Sequence, residues 1–374
     1  MSRMKPRIPE HILGLQPYKP GRPIEEVERE LGLTGTIKLA SNENALGPSP
    51  VAVAALGGCL QGLHRYPEGG AVVLAARLAG VLGVSSEQLV FGNGSNEIIE
   101  LLVRVFADRD DEVVMSADAF LVYDLVTRAV RACPVRVAAR DHRHDLDAMA
   151  AAIGPATRLV FVASPNNPTG TIVTRSEWAR FLEAVPDHVV VAVDQAYVEY
   201  VDDPDHADPL ADVGVHPGVV VLRTFSKIYG LAGLRLGYAV TAPEIAQALA
   251  RLRQPFNANS LAQAAALAAL DDDEHVERSR ALVRAGRERY ARGLTELGLD
   301  FVPSHANFAL VDVGRGAAVT DAMLSRGVIV RPMDAYGMPE MIRITFGTEA
   351  ENERCLAALA EAVGEVGAGA EPGS

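Results

Sequence analysis

An α/β fold built on a mostly parallel central sheet sandwiched by helices, with a smaller α+β domain attached, is expected from three features of this sequence. Short apolar runs alternate with helix-period segments up to about residue 255, the text of a parallel sheet with crossover helices. Several of those runs, Leu159 to Ala163, Val189 to Val193 and Val219 to Leu222, lack polar alternation, as strands covered on both faces do. Past Pro255 the rhythm gives way to two long Ala-rich helices and a second set of strands.

In chain order, residues 1–23 are Pro-rich and irregular, and Ile24 to Leu31 follows Pro23 as a short amphipathic helix. Ile37 to Ala40 reads as a strand that runs into the polar loop Ser41 to Asn44 and a Gly/Pro-punctuated turn. An Ala-rich helix then extends to about Leu60. The loop His64 to Gly70 enters a helix from Ala71 to Leu82. Leu89 to Phe91 is a strand, and the turn Gly92 to Glu97 feeds the helix Ile98 to Phe106. The strand Val113 to Met115, helix Phe120 to Val130, strand Val135 to Ala138 and helix Leu146 to Ile153 follow. Thr174 and Glu177 have capping-box spacing for a helix that runs through Val185. After Val219 to Leu222, the segment Leu236 to Val240 is expected to return as an edge strand.

The C-terminal third reads as helices Leu261 to Leu270 and Glu274 to Leu297, then strands near Phe308 to Val311, Val328 to Val330 and Met341 to Thr345. Helices near Ala317 to Arg326 and Glu349 to Val366 accompany them, the last opened by a second capping box at Thr348 and Glu351. The expected division is an N-terminal arm that joins the small domain (1–40), a large α/β domain (41–255), a small α+β domain (256–366) and a disordered tail (367–374).

A formal net charge of −13 over 374 residues disfavours nucleic acid and anionic membrane as partners. An anionic ligand must then be held by a few local cations. Cys59, Cys133 and Cys355 are scattered without ligand or disulfide spacing, so no metal site is expected and a reducing compartment fits. The N-terminal text has no uninterrupted apolar core before its prolines. No stretch approaches the roughly 18 apolar residues of a membrane span, so a cytoplasmic protein is expected.

The chemistry centres on Val219 to Val240. Its apolar strand ends in Arg-Thr-Phe-Ser-Lys and enters a Gly-punctuated loop with Arg235 eight residues after Lys227. A lysine at a strand end among hydroxyls and apolar groups is partly desolvated, and such an amine condenses with an aldehyde. Thr224, Ser226 and Arg235 suit a phosphate, and so does the Gly94-Ser95-Asn96 turn, where a helix begins. Two more loops lie at carboxyl ends of expected parallel strands, Ser164 to Gly170 and Asp194 to Tyr197, where open α/β sheets bind ligands.

Together these loops supply what an aldehyde-bearing pyridine phosphate needs. Asp194 can pair with a ring nitrogen, Tyr197 and Asn167 can hydrogen-bond a phenolate oxygen, and Phe120 can stack on the ring face. Taken singly, Asp194 is as readily a helix cap, Asn167 a turn residue before Pro168, and Phe120 a core side chain. It is their joint order on strand ends that carries the reading.

That text, SPNNPTG, DQAYVEY and RTFSKIYGLAGLRLGY in this order, resembles the fold-type-I, aspartate-aminotransferase-like enzymes that use pyridoxal 5'-phosphate. Within that superfamily it is most similar to the histidinol-phosphate aminotransferases, and related aromatic and broad-range aminotransferases share much of it. The similarity covers nearly the whole chain, from LxPYxPGRP at Leu15 to Pro23, through LASNEN, RYPEGG and RHDLDAM, to QPFNANSLAQ and IRITFGT at Ile342 to Thr348.

The resemblance implies a PLP-dependent transaminase acting on L-histidinol phosphate and 2-oxoglutarate in histidine biosynthesis. An aromatic amino-acid aminotransferase is the alternative, and a PLP-dependent decarboxylase a more distant one. It implies Lys227 as the cofactor's covalent lysine, with Asp194, Tyr197 and Asn167 on the ring. Ser95, Asn96, Thr224, Ser226 and Arg235 are implied on the phosphate, with Tyr66 reaching the site of the neighbouring subunit of a homodimer. Arg343 is implied to grip the substrate carboxylate or phosphate, with Tyr18, Asn44 and Arg331 also at the substrate. The chain departs from the pattern at Ala45, at Gln195 in place of glutamate, at Ser116-Ala117-Asp118 and at Val72-Val73.

Overall fold

Val219 and Val221 pack on one side of a sheet, with Val160, Val162, Val191, Val193, Trp178 and Phe181. Val220 and Leu222 pack on the other, with Leu159, Phe161, Ala192 and Ile98. Side chains alternate along a strand, so a run that is apolar at every position needs an apolar layer on each face. Full burial of each such side chain is worth roughly 1.5–3 kcal/mol.

The computed structural model describes residues 7–17 and 21–368. Strand β1 (Ile37–Lys38) lies outside the main sheet. Among the described residues, that sheet comprises β2 (Leu89–Gly92), β3 (Glu112–Ser116), β4 (Cys133–Val137), β5 (Thr157–Ala163), β6 (Val190–Asp194), β7 (Val219–Thr224) and β8 (Gly237–Thr241), in the order β2-β8-β7-β6-β5-β3-β4. Strands β4, β3, β5, β6 and β7 run parallel. Helices Ser95–Phe106, Val122–Ala129 and Pro243–Leu252 cover one face, and Leu146–Ala151 and Arg175–Ala184 the other.

Farther along lie β9 (Phe301–Val302), β10 (Phe308–Asp312), β11 (Val328–Ile329), β12 (Arg331–Pro332) and β13 (Met341–Thr345). An antiparallel sheet is ordered β12-β13-β10-β9, while β1 pairs in parallel with β11 and joins Ile37 to Val328. The helices Asp273–Glu296 and Glu349–Ala368 pack here, around Phe308, Tyr290 and Phe346. Tyr197 and Ile228 belong to the same cluster, so this core reaches the loops of the main sheet.

Several expected boundaries shift, and Glu10–Leu13, in the stretch expected to be irregular, forms one helical turn. The segment expected as an edge strand is β8, which is interior: it pairs antiparallel with β7 and along its other side with β2. Leu89–Gly92 takes the edge instead, because its four residues satisfy the outer hydrogen bonds of β8. Pro243–Leu252, to which the sequence reading gives no element, is a helix with Pro243 in its first turn and Ile245, Ala246 and Leu249 buried. The last helix continues through Ala368, past the expected end at 366; residues 369–374 lie outside the described residues. Both expected capping boxes form, at Thr174 and Glu177 and at Thr348 and Glu351. Among the described residues no helix is long and apolar enough to cross a membrane.

Candidate active site

Parallel strands finish level with one another. Ala163 of β5 is in register with Asp194 of β6, and Asp194 with Leu222 of β7, so the loops that follow leave from one edge. They close over a cavity of about 320 Å³.

At its floor Asp194 is 7% exposed. Tyr123 Oη donates to Oδ2 at 2.7 Å and the Ala196 N–H to Oδ1 at 3.1 Å. Burial pushes the Asp194 carboxyl above the usual carboxylate range, while the two hydrogen bonds and the charge of Lys227 pull it down. Tyr123 is held flat against Phe161, ring centres 4.3 Å apart, and meets Phe120 edge-on at 5.8 Å. Phe120 itself lies on the cavity wall, in the turn before the helix Val122–Ala129 and not within that helix.

The opposite end is built for an anion. The helix Ser95–Phe106 starts at Gly94, which has φ 78°, and no side chain caps it. Its first-turn N–H groups and positive dipole end therefore meet the cavity at Ser95 and Asn96. A side chain at position 94 would come within 2.7 Å of Arg235 Nη2, so glycine is needed for the guanidinium to approach. Thr224 and Ser226 lie on the same wall, joined by the Ser226 N–H donating to Thr224 Oγ1 at 3.1 Å.

Between the two ends stands Lys227. Its Nζ donates to the Ser41 carbonyl at 3.2 Å and lies 5.4 Å from the centre of the Tyr197 ring. Over the top, Arg343 projects from β13 at 4% exposure. It donates through Nη2 to the Ala40 carbonyl at 2.9 Å and through Nη1 to Asn167 Oδ1, with its guanidinium 5.3 Å from the Phe308 ring centre. Its buried Nε has no hydrogen-bond partner.

Other residues expected at the site lie elsewhere. Asn44 is a correction: its amide donates to the Ile228 carbonyl at 2.7 Å and to Ser279 Oγ at 2.9 Å, tying the loop to neighbouring segments. Asn42, two residues earlier, lies on the cavity wall instead. Arg331 is not on the wall; it is paired across from Arg343 on β12, on the same sheet face and one strand farther out. Tyr66 is 82% exposed, stacked on Phe256 at 4.8 Å and away from its own chain's cavity. Tyr18 lies outside the described residues.

Tyr123 escaped the sequence reading because an aromatic one helical turn after Phe120 looks like core until its hydroxyl has an address. Gln195, buried beside Asp194, accepts from Arg223 Nε at 3.0 Å and Nη2 at 2.8 Å through Oε1. The glutamine thus keeps a bond to the arginine without a second buried carboxylate. Chemically, the cavity suits a flat ligand with an anionic group at one end, a basic ring atom at the other and an electrophilic carbon facing Lys227.

The family model for aminotransferase class I and II matches residues 34–359. A histidinol-phosphate aminotransferase of Anaeromyxobacter sp. (strain Fw109-5) is 51% identical over 362 residues, 96% of this chain and 100% of its own length. One from Methylobacillus flagellatus is 48% identical, covering 96% and 98% of the two chains. Among solved structures, histidinol-phosphate aminotransferase from Sinorhizobium meliloti in complex with pyridoxal-5'-phosphate superposes with a TM-score of 0.88 at 29% identity, over 98% of this chain and 99% of that one.

Proposed function

The chain belongs to the class I and II aminotransferases, and from that premise we propose that it uses pyridoxal 5'-phosphate to transfer an amino group from L-histidinol phosphate to 2-oxoglutarate, giving imidazole-acetol phosphate and glutamate. The observation that carries this reading is that one cavity is lined by Lys227, a buried carboxylate and an arginine-flanked helix N-terminus. That donor set matches the cofactor's ring nitrogen, aldehyde and phosphate in turn.

When bound, the cofactor supplies an electron sink that stabilises negative charge at the substrate carbon bearing the nitrogen. Asp194 would keep a proton on the ring nitrogen as an ionised carboxylate, a form that the hydrogen bonds from Tyr123 and Ala196 and the charge of Lys227 favour against burial. Phe120, Tyr197 and Asn167 line the same cavity, where Phe120 would cover the ring and the other two would hydrogen-bond its oxygen. Ser95, Asn96, Thr224, Ser226 and Arg235 hold the phosphate. Lys227 would hold the aldehyde carbon, and its free amine would move the proton at the substrate carbon. Arg343 grips a carboxylate or a phosphate ester with its planar fork, which is how one pocket accepts both substrates. Its partnerless Nε is a donor an incoming anion satisfies; such a buried orphan costs about 1–3 kcal/mol. Arg331, one strand farther out than Arg343, is assigned a supporting role toward the substrate anion.

Tyr66 supports a homodimer. It is exposed and stacked on Phe256, and Val72 and Val73, a few residues on, are exposed apolar side chains as well. Tyr66 is assigned to the cofactor phosphate of the second copy. The separate sheets support a large domain over 41–255, a small domain over 256–366 and an N-terminal arm joined to it through β1. A cytoplasmic location fits the acidic, cysteine-poor composition.

The test is a set of single half-reactions on the PLP-loaded protein with histidinol phosphate, glutamate, phenylalanine and tyrosine, read by loss of the cofactor's visible absorption. Histidinol phosphate and glutamate are expected to discharge it. Discharge by phenylalanine and not by histidinol phosphate would assign the protein to aromatic substrates instead. Arg343→Lys is expected to lower kcat/KM for both true substrates by roughly 10- to 100-fold, mostly through KM, because a lysine keeps the charge and loses the two-pronged geometry.

Tyr123→Phe removes the hydrogen bond that opposes burial at Asp194, so the Asp194 carboxyl rises further. The sign follows: a carboxylate needed in its ionised form is then lost at a higher pH. The acid limb of the kcat profile is expected to move to higher pH in Tyr123→Phe, and an unmoved limb would show that Tyr123 does not influence Asp194.

A further inference from the structure

Asn42 touches the site without belonging to any role assigned above. It is 1% exposed at φ 56°, and its Nδ2 donates to Tyr197 Oη at 2.9 Å. Its other polar groups are all engaged. The backbone N–H donates to Thr345 Oγ1 at 2.9 Å, Thr345 Oγ1 donates to its Oδ1 at 3.1 Å, and its carbonyl accepts from Asn307 Nδ2 at 3.1 Å.

Those bonds fix a direction. The Thr345 hydroxyl receives the Asn42 N–H on its oxygen and donates its single proton to Oδ1. An amide accepting at Oδ1 presents Nδ2–H to the phenol, so the Tyr197 oxygen is the acceptor in that bond. The phenol's own proton is thereby directed to the cavity side, where Lys227, Asp194 and Arg343 are the charged neighbours on the wall. Thr345 itself stands two residues from Arg343, on the same face of β13.

We propose that Asn42, oriented by Thr345, is a positioning residue that makes Tyr197 a hydrogen-bond donor toward the ring oxygen of the cofactor. The proposal rests on the reading of this cavity as the PLP site. A phenol that accepts one hydrogen bond donates the next more strongly, so the Thr345–Asn42–Tyr197 chain favours the ionised form of the oxygen it meets. Asn307 and Thr345 hold Asn42 in its left-handed conformation, which asparagine tolerates better than most residues.

The experiment is a pH titration of the visible absorption of the PLP-loaded protein without substrate. It compares the parent with Asn42→Ala, Thr345→Val, Thr345→Ser, Tyr197→Phe and the Asn42→Ala/Tyr197→Phe double variant. Asn42→Ala and Thr345→Val are expected to raise the midpoint by a few tenths to about one pH unit, the scale of one hydrogen bond to an ionised group. Thr345→Ser keeps the hydroxyl and is expected to keep the parental midpoint. In the Tyr197→Phe background, Asn42→Ala should add no further shift.

Thr345→Val carries the test if Asn42→Ala does not fold. Unmoved midpoints in the folded variants, or an undiminished Asn42→Ala shift in the Tyr197→Phe background, would overturn the proposal. A parent protein with no visible band after PLP loading would instead overturn the cofactor reading beneath it, so the two failures are told apart.

Discussion

Replacing Lys227 by alanine is expected to lower transamination by at least about 10³-fold, the upper range for loss of a positioned proton-transfer group, with loss of the covalent link added. The side chain stands where no neighbour can substitute. Its Nζ lies between the Ser41 carbonyl and the Tyr197 ring, and the other cations on the wall, Arg235 and Arg343, sit at the phosphate and substrate ends. Arginine stays protonated at any working pH and cannot serve as the base. The measurement is kcat by single turnover, together with the mass of the protein after borohydride treatment of the loaded form. The parent should gain the cofactor's mass at Lys227 and the variant should not. A small primary amine added from solution should restore part of the lost rate, because it replaces the missing base and not a missing fold. Near-parental activity in Lys227→Ala would end the assignment.

Asp194→Asn is the second large effect, expected to reduce kcat by about 10²- to 10⁴-fold with little change in folding. The amide has the carboxylate's shape: its oxygen can accept from the Ala196 N–H while its Nδ2–H donates to the Tyr123 hydroxyl, which turns to accept, so packing survives. What is lost is the negative charge assigned above to keeping a proton on the ring nitrogen. At roughly 1.36 kcal/mol per tenfold in rate, the expected loss corresponds to about 3–5 kcal/mol, the range measured when one member of a buried, hydrogen-bonded charge pair is removed. The comparison that checks it is kcat against thermal midpoint. A fall in kcat with an unchanged midpoint assigns the effect to the charge, and a parental kcat would remove Asp194 from the reaction.

Much of the architecture was legible because it rests on local rules. Val219 to Leu222 is apolar at every position, and only a strand buried on both faces tolerates that. Thr174 with Glu177 and Thr348 with Glu351 announce helix starts through bonds made within four residues. The loops after β5, β6 and β7 could be grouped because parallel strands end on one side. The place of β8 was not legible in the same way. Whether an apolar strand is an edge depends on a partner about 150 residues away, here Leu89–Gly92, and the strand's own residues say nothing of that partner.

At the site the division is similar. Motif text identifies Lys227, Asp194 and the phosphate turn, since their chemistry follows from residue type and a strand-end position. Tyr123, Asn42 and Thr345 carry no such text, being an aromatic, an asparagine and a threonine of the kind found in any core or loop. Asn42 and Thr345 are separated by 303 residues and meet through hydrogen bonds that only the folded chain brings within reach.

Residue order alone therefore determined the fold class and the charged residue types at the strand ends, because periodicity and side-chain chemistry are properties of the chain whatever its path. Tertiary structure decided which strand took the edge, why Asn44 turned away from the cavity while Asn42 faced it, and what orients the Tyr197 phenol. Those outcomes depend on distances of about 3 Å between segments remote in sequence, and a hydrogen bond has no signature until both of its ends are in place.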